Sequence, residues 1–208
     1  MVKHRSLLGK FSQSSLVTAL ATVALLAVTP AQAAPETYNV DPEHTAVTFS
    51  IRHLFSKVPG RFSTFSGSVR IDESQPEQGS VEFTIETASI DTNEPARDRH
   101  LRSDAFFDAD NHPQITFRST KVRKNGEGKL EVDGDLMIRG ITKTVTLDVE
   151  VLGFGDLYGV RRAAFEIRTQ IDRQDFEVSW NDMVEGGGLI LGDDVDILIN
   201  LQAKKAAK

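Results

Sequence analysis

Residues 91–117 have the sequence DTNEPARDRHLRSDAFFDADNHPQITF, and they interrupt a chain that otherwise alternates between apolar and polar side chains. Pro95 suits the first turn of a helix, where its missing N–H costs no hydrogen bond. The polar run of residues 97–102 predicts a short helix, and His112-Pro113 favours extended or turn backbone before the alternation resumes at Ile115. A helix placed between two β-runs is expected where it closes one end of a barrel.

The chain around this stretch alternates with period 2, which is typical of strands with one apolar face. Turns are predicted at Pro59-Gly60, at residues 125–128 and at Gly153-Phe154-Gly155. The predicted fold is all-β: an extended eight-stranded antiparallel barrel with a short helical insertion between strands 3 and 4. The strands are predicted at residues 45–53, 61–72, 80–90, 114–124, 129–139, 142–152, 160–172 and 193–203.

The polarity of the two strand faces indicates which face points inward. An eight-stranded barrel has interior room for packed side chains or one small ligand, and not for many charges. The polar face must therefore lie in water, and the apolar face must form the interior. Two tyrosines and one tryptophan are also too few for the aromatic girdles of an outer-membrane barrel. The charged outer face includes Glu82, Glu86, Glu131, Asp133, Asp148, Glu150, Glu166 and Arg168.

The first 33 residues predict a secretory signal peptide. A basic start is followed by an apolar run at residues 16–28 and by Ala31-Gln32-Ala33, which fits an A-x-A cleavage site. The apolar run is shorter than the roughly 20 residues of a membrane-spanning helix. A retained signal anchor is the alternative. We expect cleavage after Ala33, a single domain at residues 34–208 without an integral membrane span, and a periplasmic location.

Composition and motifs exclude several classes of function. The net charge of −6 argues against nucleic acid, whose phosphates need Lys and Arg for neutralisation. The chain has no cysteine, and His44, His53, His100 and His112 include no pair at metal-ligand spacing, so no metal site is predicted. No nucleophile elbow or nucleotide-binding glycine motif is present. We therefore predict that the protein is not an enzyme, and we assign no catalytic residue and no cofactor.

Four ordered motifs resemble the YceI-like family: YNVDPEHTAVTFSIRH at residues 38–53, RFSTFSGSVRID at 61–72, DRHLRSDAFFDADNHPQITF at 98–117, and DGDLMIRGITKTVTL at 133–147. The resemblance covers essentially all of residues 34–208. It implies an often exported bacterial protein with a lipocalin-like barrel that binds a long apolar chain, such as a polyisoprenoid or a fatty-acid-derived amphiphile. The resemblance implies no catalytic activity and supplies no residue-level ligand signature.

Candidate ligand-binding residues follow from the inward face of the predicted strands. A long apolar chain needs a dry tunnel, because each buried CH₂ contributes about 0.8 kcal/mol. Each candidate has plain core packing as its alternative. The predicted barrel lining is Phe49, Ile51, Phe65, Phe83, Ile85, Phe117, Leu136, Ile138, Leu147, Val149, Phe165 and Ile167.

A second set of candidates belongs to the barrel mouth or to a ligand head group. Arginines near the helix pair bidentately with phosphate or carboxylate groups, and pairing with the neighbouring aspartates is the alternative. His53 is either a core histidine bonded to backbone or a head-group contact. The two phenylalanines are candidates for a lid or a plug, and the tryptophan for a cover at the opposite end or a loop anchor. The set is His53, Arg97, Arg99, His100, Arg102, Phe106, Phe107 and Trp180.

These patterns favour a periplasmic carrier or sequestering protein that holds a long-chain lipid by binding alone. Two alternatives from other classes remain open. One is an enzyme that acts on an amphiphilic substrate in the same cavity, and the other is a ligand-free interaction scaffold with a filled barrel. A homodimer that covers an open barrel end is compatible with the sequence, although nothing in the sequence requires one.

Overall fold

The computed structural model describes Met1, residues 34–185 and residues 187–207. Residues 34–207 fall within one compact unit. The predicted signal peptide covers residues 1–33, of which only Met1 is described, so its cleavage stays a prediction. Among the described residues, no helix has both the length and the apolar composition needed to cross a membrane.

The described chain forms antiparallel β-segments and one α-helix, α1 (Pro95–Arg102), between β6 and β7. Short 3-10 turns lie at Pro42–His44, Pro76–Gln78, Thr87–Ser89 and Arg173–Phe176. The β-segments are β1 (Glu36–Val40), β2 (Ala46–His53), β3 (Ser56–Phe62), β4 (Phe65–Ile71), β5 (Ser80–Glu86), β6 (Ile90–Asp91), β7 (Gln114–Lys124), β8 (Lys129–Ile138), β9 (Ile141–Leu157), β10 (Val160–Asp172) and β11 (Leu191–Lys205).

The segments form one sheet that closes on itself in the order β1-β4-β5-β7-β8-β9-β10-β11, with β11 pairing back to β1. The other three segments extend three of these strands toward the helix end: β2 extends β1, β3 leads into β4, and β6 extends β5. In this part of the sheet β2 pairs with β11, β3 pairs with β2, and β6 pairs with β3. Eight strand positions therefore surround the interior. The predicted eight-stranded antiparallel barrel, with a helix between its third and fourth strands, is confirmed.

The connections between strands define two ends of the barrel. The helix end holds the β2–β3 turn at Leu54 and Phe55, residues 92–113 with α1, the turn at Arg139 and Gly140, and the loop of residues 173–190. The terminus end holds the loop of residues 72–79, the hairpin turn of residues 125–128, the turn at Tyr158 and Gly159, the start of β1 and the end of β11.

The predicted turn at Pro59-Gly60 is wrong, because both residues lie within β3. Pro59 pairs with Ser50 on β2, whereas β6 reaches only as far as Arg61 and Phe62 on the other side. A proline is tolerated where one side of a strand has no partner, since its missing N–H then costs no ladder hydrogen bond. The chain turns instead at Leu54 and Phe55, where Leu54 adopts a φ of 52°.

The predicted turn at Gly153-Phe154-Gly155 is also wrong, because β9 continues to Leu157. Gly153 has a φ of 145°, and the register with β10 shifts at Ala164 and Phe165, as at a β-bulge. The bulge allows Phe154 to pack edge-on against Tyr38 and Phe165, with ring centroids 6.0 and 6.3 Å apart. These glycines therefore bend a strand without ending it.

The interior at the terminus end is filled with side chains. Rings from β1, β9 and β10 meet there, and small residues on β10 and β11 leave room for them. Burial of this apolar surface is expected to be the main contribution to the folding free energy at this end of the barrel. The residues of this packed region are at most 6% exposed: Tyr38, Val69, Ile71, Leu130, Val132, Ala163, Phe165 and Ala203.

Helix α1 is held at its start by side-chain caps. The carboxylate of Glu94 accepts hydrogen bonds from the backbone N–H groups of Ala96 and Arg97, at 3.2 and 2.5 Å. The buried carboxylate of Asp98 accepts from the backbone N–H and the hydroxyl of Thr92, at 2.9 and 2.5 Å. These bonds satisfy donors that the first turn of a helix leaves open, and they tie α1 to the end of β6.

Candidate functional site

The half of the barrel nearer the helix end encloses a chamber of about 560 Å³. Its wall is almost entirely apolar, which is the environment that an aliphatic chain requires. Strands from around the barrel contribute to the wall, together with α1 and the loop of residues 173–190. Nine of the predicted lining residues lie in this wall: Phe49, Ile51, Phe83, Ile85, Phe117, Leu136, Ile138, Leu147 and Ile167.

Three predicted lining residues lie outside the chamber wall. Phe65 stacks on Phe83, with ring centroids 5.7 Å apart. Phe165 belongs to the packed region at the terminus end, where it meets Phe154. Val149 packs against the same hydrophobic core without reaching the chamber. In the structure these three side chains belong to the hydrophobic core or pack against it, and they do not line the chamber.

Strand β11 contributes a larger share of the wall than the sequence analysis assigned to it. Its inward residues alternate along the strand, so the same period-2 pattern could have identified them. By contrast, Phe176 and Val178 reach the chamber from an irregular loop, where no periodicity identifies a face. The β11 residues in the wall are Leu191, Val195, Ile197, Ile199 and Leu201.

Three phenylalanine rings of the wall each lie over a glycine on the neighbouring strand. An ideal Cβ on Gly60 would stand 2.2 Å from Phe49 Cζ, one on Gly67 would stand 2.7 Å from Phe83 Cδ2, and one on Gly134 would stand 2.3 Å from Phe117 Cζ. Such distances are far below van der Waals contact. Each ring therefore occupies the space that a side chain would fill if the glycine were any other residue.

Aromatic side chains from α1 and from two loops meet at the helix end of the chamber. The ring of Phe106 is buried, and its centroid lies 4.9 Å from that of His100 and 5.1 Å from that of Trp180. His100 and Trp180 are 5.0 Å apart. Trp180 is therefore at the same end as the helix, and its predicted place at the opposite end is wrong. The loop of residues 173–190 folds back over this end and brings the indole there.

A second aromatic chain runs from this end into the wall. Phe107 meets Phe62 edge-on at a centroid distance of 6.2 Å, and Phe62 lies 5.6 Å from Phe49. All three residues line the chamber. The two phenylalanines after α1 therefore contact different partners: Phe106 packs on Trp180, and Phe107 packs on Phe62 of β3.

The arginines near the helix bond mainly to protein oxygens. Arg97 lines the chamber, and its guanidinium donates to the hydroxyl and the carbonyl of Thr92 at 2.7 and 2.8 Å. Arg102 donates to the backbone carbonyls of Ala88 and Ile90, and does not line the chamber. Arg99 is exposed and lies outside the wall. Only one of the three predicted arginines therefore faces the chamber.

Arg173 is a chamber residue that the sequence analysis missed. It is 4% exposed, and it donates to the backbone carbonyls of Gly192, Val178 and Trp180 at 2.8, 2.5 and 2.9 Å. Burial lowers the pKa of its guanidinium, and the nearby carboxylate of Asp193 opposes that change. Arg173 thus ties the loop that carries Trp180 to the start of β11.

Two histidines lie in the wall at this end. His53 is half-buried on β2, opposite Leu191 on β11, and His100 is on α1. Among the hydrogen bonds of the described residues, none involves either imidazole. The alternative of a core histidine bonded to backbone therefore does not match His53. Both rings are available to a polar group that enters from the helix end.

Exposed apolar side chains surround this end on the outside. Phe55 is fully exposed at the tip of the β2–β3 turn, and the backbone N–H of Leu54 donates to the carbonyl of Ile190 at 2.8 Å. Met183 and Leu189 are exposed in the neighbouring loop, where they form an isolated β-bridge. Apolar groups therefore flank the helix end outside the chamber as well as within it.

A compact ion cluster lies at the terminus end of the barrel. Asp41, 2% exposed, accepts from Lys204, His44 and Arg162 at 2.9, 2.9 and 3.0 Å. Burial raises the pKa of the Asp41 carboxyl, but these hydrogen bonds outweigh burial and lower the pKa to about 2. The cluster joins the break between β1 and β2 to β10 and β11, so its role is in closing the barrel.

Comparison with known proteins places this architecture in a family. A model of the YceI-like domain matches residues 38–203. Protein YceI of Escherichia coli O157:H7 is 41% identical over 161 residues, which cover 76% of this chain and 84% of that protein. A UPF0312 protein of Vibrio campbellii is 40% identical over 150 residues, which cover 71% of this chain and 79% of that protein.

Solved structures show the same fold. The crystal structure of Burkholderia cenocepacia BcnA matches with a TM-score of 0.70 and 30% identity, covering 79% of this chain and 99% of that one. A polyisoprenoid binding domain from Saccharophagus degradans, implicated in plant cell wall breakdown, matches with a TM-score of 0.61 and 14% identity, covering 81% and 98%. The second match shows the fold alone.

The closed eight-stranded barrel, the helix between its third and fourth strands and a family match over residues 38–203 agree with one another. The chain belongs to the YceI-like family.

Proposed function

We propose that this protein is a periplasmic carrier that holds a long-chain apolar lipid, a polyisoprenoid or a fatty-acid-like amphiphile, in its barrel chamber. The observation that carries the proposal is the apolar chamber of about 560 Å³ enclosed by the strands. A volume of this size lies within the range of about 300–1,000 Å³ that is typical of small-molecule sites. A structural relative of the same fold is described as a polyisoprenoid binding domain, which agrees with this ligand class.

The distribution of polar groups orients the proposed ligand. The imidazoles of His53 and His100 and the guanidinium of Arg97 all lie at the helix end of the wall, whereas the other end of the chamber is bounded by Ile199 and Leu201. An amphiphile would place its polar head at the helix end and its apolar tail toward the packed region. Because Arg97 already donates to Thr92, we expect the histidines to contribute more to head-group contact.

The proposed mechanism is binding without chemistry. Each CH₂ that moves from water into the chamber contributes about 0.8 kcal/mol, so affinity should rise with chain length until the chamber is full. The export signal predicted at residues 1–33 supports a periplasmic site of action. The family match favours a binding protein, and it indicates no catalytic activity.

The test is extraction of the protein, purified from the periplasm of its native cells, with organic solvent, followed by mass spectrometry. We expect a stoichiometric isoprenoid or fatty-chain species. Ile199→Trp, which fills the chamber from β11, should lose that species. Asn200→Trp, on the exposed face of the same strand, should retain it. Far-UV circular dichroism should show that both variants are folded.

An empty extract, together with no uptake of added lipid by the wild-type protein, would favour the ligand-free scaffold. Recovery of a chemically altered lipid after incubation would favour the enzyme instead. Equal ligand content in the two tryptophan variants would place the ligand outside the chamber.

A further inference from the structure

Phe49 packs over a residue without a side chain, Gly60, in the wall of the chamber. These residues are directly opposite each other on β2 and β3. The three atoms nearest to an ideal Cβ on Gly60 all belong to the Phe49 ring, at 2.2, 2.7 and 2.8 Å. The ring therefore lies in the place of a missing side chain, and a methyl group at residue 60 would force it to move.

Gly60 differs in this respect from the other two glycines that lie under phenylalanine rings. A Cβ on Gly67 would also stand 2.6 Å from the backbone oxygen of Glu82, and one on Gly134 would stand 2.6 Å from that of Arg118. Those glycines allow close approach of two strands. At Gly60 the three nearest atoms all belong to the Phe49 side chain, so a movement of that ring would relieve the closest contacts of an added Cβ.

Phe49 lies partway along the chamber. It is paired with Ile197 on β11, and the next inward residues of β11 toward the terminus end, Ile199 and Leu201, are also in the wall. A chain that enters at the helix end must pass Phe49 to reach Leu201. The position of this one ring therefore sets the width available to the deeper half of the ligand.

We propose that Gly60 determines ligand specificity: by letting the Phe49 ring lie flat in the wall, it admits methyl-branched isoprenoid chains as well as straight alkyl chains. A methyl branch recurs on every isoprene unit and makes the chain wider than a straight one. If the ring moved inward, the narrower straight chain would still pass, while the branched chain would not. This inference rests on the proposed function.

The experiment compares two alcohols with the same number of carbons, tritiated farnesol and tritiated pentadecan-1-ol, on delipidated protein by gel filtration. We expect Gly60→Ala to weaken farnesol binding about tenfold, the effect of overpacking by one methyl group, and to change pentadecanol binding much less. Gly155→Ala is the matched control, because Gly155 is exposed on β9 and its Cβ would meet nothing within 4 Å.

A second substitution tests whether the effect of Gly60→Ala acts through the Phe49 ring. Adding Phe49→Leu to Gly60→Ala removes the displaced ring and should restore farnesol binding. Crystal structures of wild type and Gly60→Ala give a measurement that needs no ligand: Phe49 Cζ should be displaced into the chamber in the variant. An unmoved ring would overturn the inference even if neither alcohol bound.

The remaining outcomes are distinct. Failure of the wild-type protein to bind either alcohol would count against the proposed function, and the ring position would then decide the inference. Unchanged binding of both alcohols to Gly60→Ala, or equal weakening of both, would overturn selection by width while leaving the lipid carrier intact.

Discussion

The two ends of the barrel are built from the same strands but hold different amounts of side chain. At the terminus end, Phe154 packs edge-on against both Tyr38 and Phe165, and the neighbouring apolar side chains are buried. At the helix end, Phe49 and Phe117 lie flat over glycines, and a chamber of about 560 Å³ remains between the walls. The two ends therefore differ in how their aromatic rings pack, edge-on against other rings at one end and over glycines at the other.

From this difference we expect a division within the domain, in which one end provides stability and the other provides space. The packed end has the burial and the ion cluster that close β11 against the first strand, so we expect it to supply most of the stability. The hollow end gives up packing contacts to provide space. Four predictions test this division, and we take them from the largest expected effect to the smallest.

The same truncation should cost more at the packed end. Phe165→Ala should lower the free energy of unfolding by about 3–5 kcal/mol, because it leaves a cavity among buried neighbours. Phe49→Ala should cost less than half as much, since its ring already borders empty space. Urea denaturation followed by circular dichroism measures both. Equal costs would contradict the division between the two ends.

Glycines beneath the chamber rings should tolerate substitution poorly. Gly134→Ala should lower the free energy of unfolding by about 2–3 kcal/mol, because its Cβ would meet both the Phe117 ring and the Arg118 carbonyl. Gly155→Ala has no such neighbour and should stay within about 0.5 kcal/mol of the wild-type protein. A thermal melt of each variant provides the comparison, and similar melting temperatures would show that the flat rings are not constrained by the glycines.

The ion cluster should give the packed end a pH dependence. Asp41→Asn should lower the free energy of unfolding by about 1–2 kcal/mol at pH 7, because Lys204, Arg162 and His44 lose their carboxylate partner. The folded pKa of Asp41, about 2, lies below its ordinary value of 3.8. The stabilisation is therefore nearly complete above about pH 5 and is lost as the pH falls through 3.8 toward 2. Urea denaturation of both proteins at pH 7, 4, 3 and 2 should show converging stabilities, and a constant difference would contradict the assignment.

The helix cap should have the smallest effect. Glu94→Ala should cost about 0.5–1 kcal/mol, because it removes the acceptor for two backbone N–H groups of α1. The loss should appear mainly as faster hydrogen exchange of the α1 amides, with the amides of β10 and β11 unchanged. Arg99→Ala, an exposed change on the same helix, is the control. Faster exchange throughout the barrel would indicate that α1 supports the packed end as well.

Much of the fold follows from periodicity in the sequence. Alternation identified the eight strand positions and the inward face, and Pro95 with the polar run after it identified α1. Periodicity did not locate the turns around Pro59-Gly60 and Gly153-Phe154-Gly155, because there the residues typical of turns serve other purposes. In β3 a proline occupies the unpaired side of a strand, and in β9 a glycine forms a bulge.

The chamber was less accessible to sequence analysis than the fold. Alternation shows that Phe49 and Phe165 both point inward, but it does not show that one ring lies flat and the other stands among its neighbours. That distinction depends on which residue is opposite on the next strand, and so on register. The loop that carries Arg173, Phe176 and Trp180 has no periodicity, and its return to the helix end is a tertiary contact.

Trp180 is the only tryptophan in the chain, and it lies at the helix end against Phe106 and His100. Intrinsic tryptophan fluorescence of the unmodified protein therefore reports on one place, the helix end of the chamber, where the proposed ligand would enter. A lipid that reaches this place should change the emission without any attached dye. The same property makes tryptophan emission a poor measure of global unfolding here. If the helix end unfolds first, the tryptophan emission should change at a lower denaturant concentration than the circular dichroism signal of the strands. The separation between the two unfolding midpoints would then measure how independently the helix end opens.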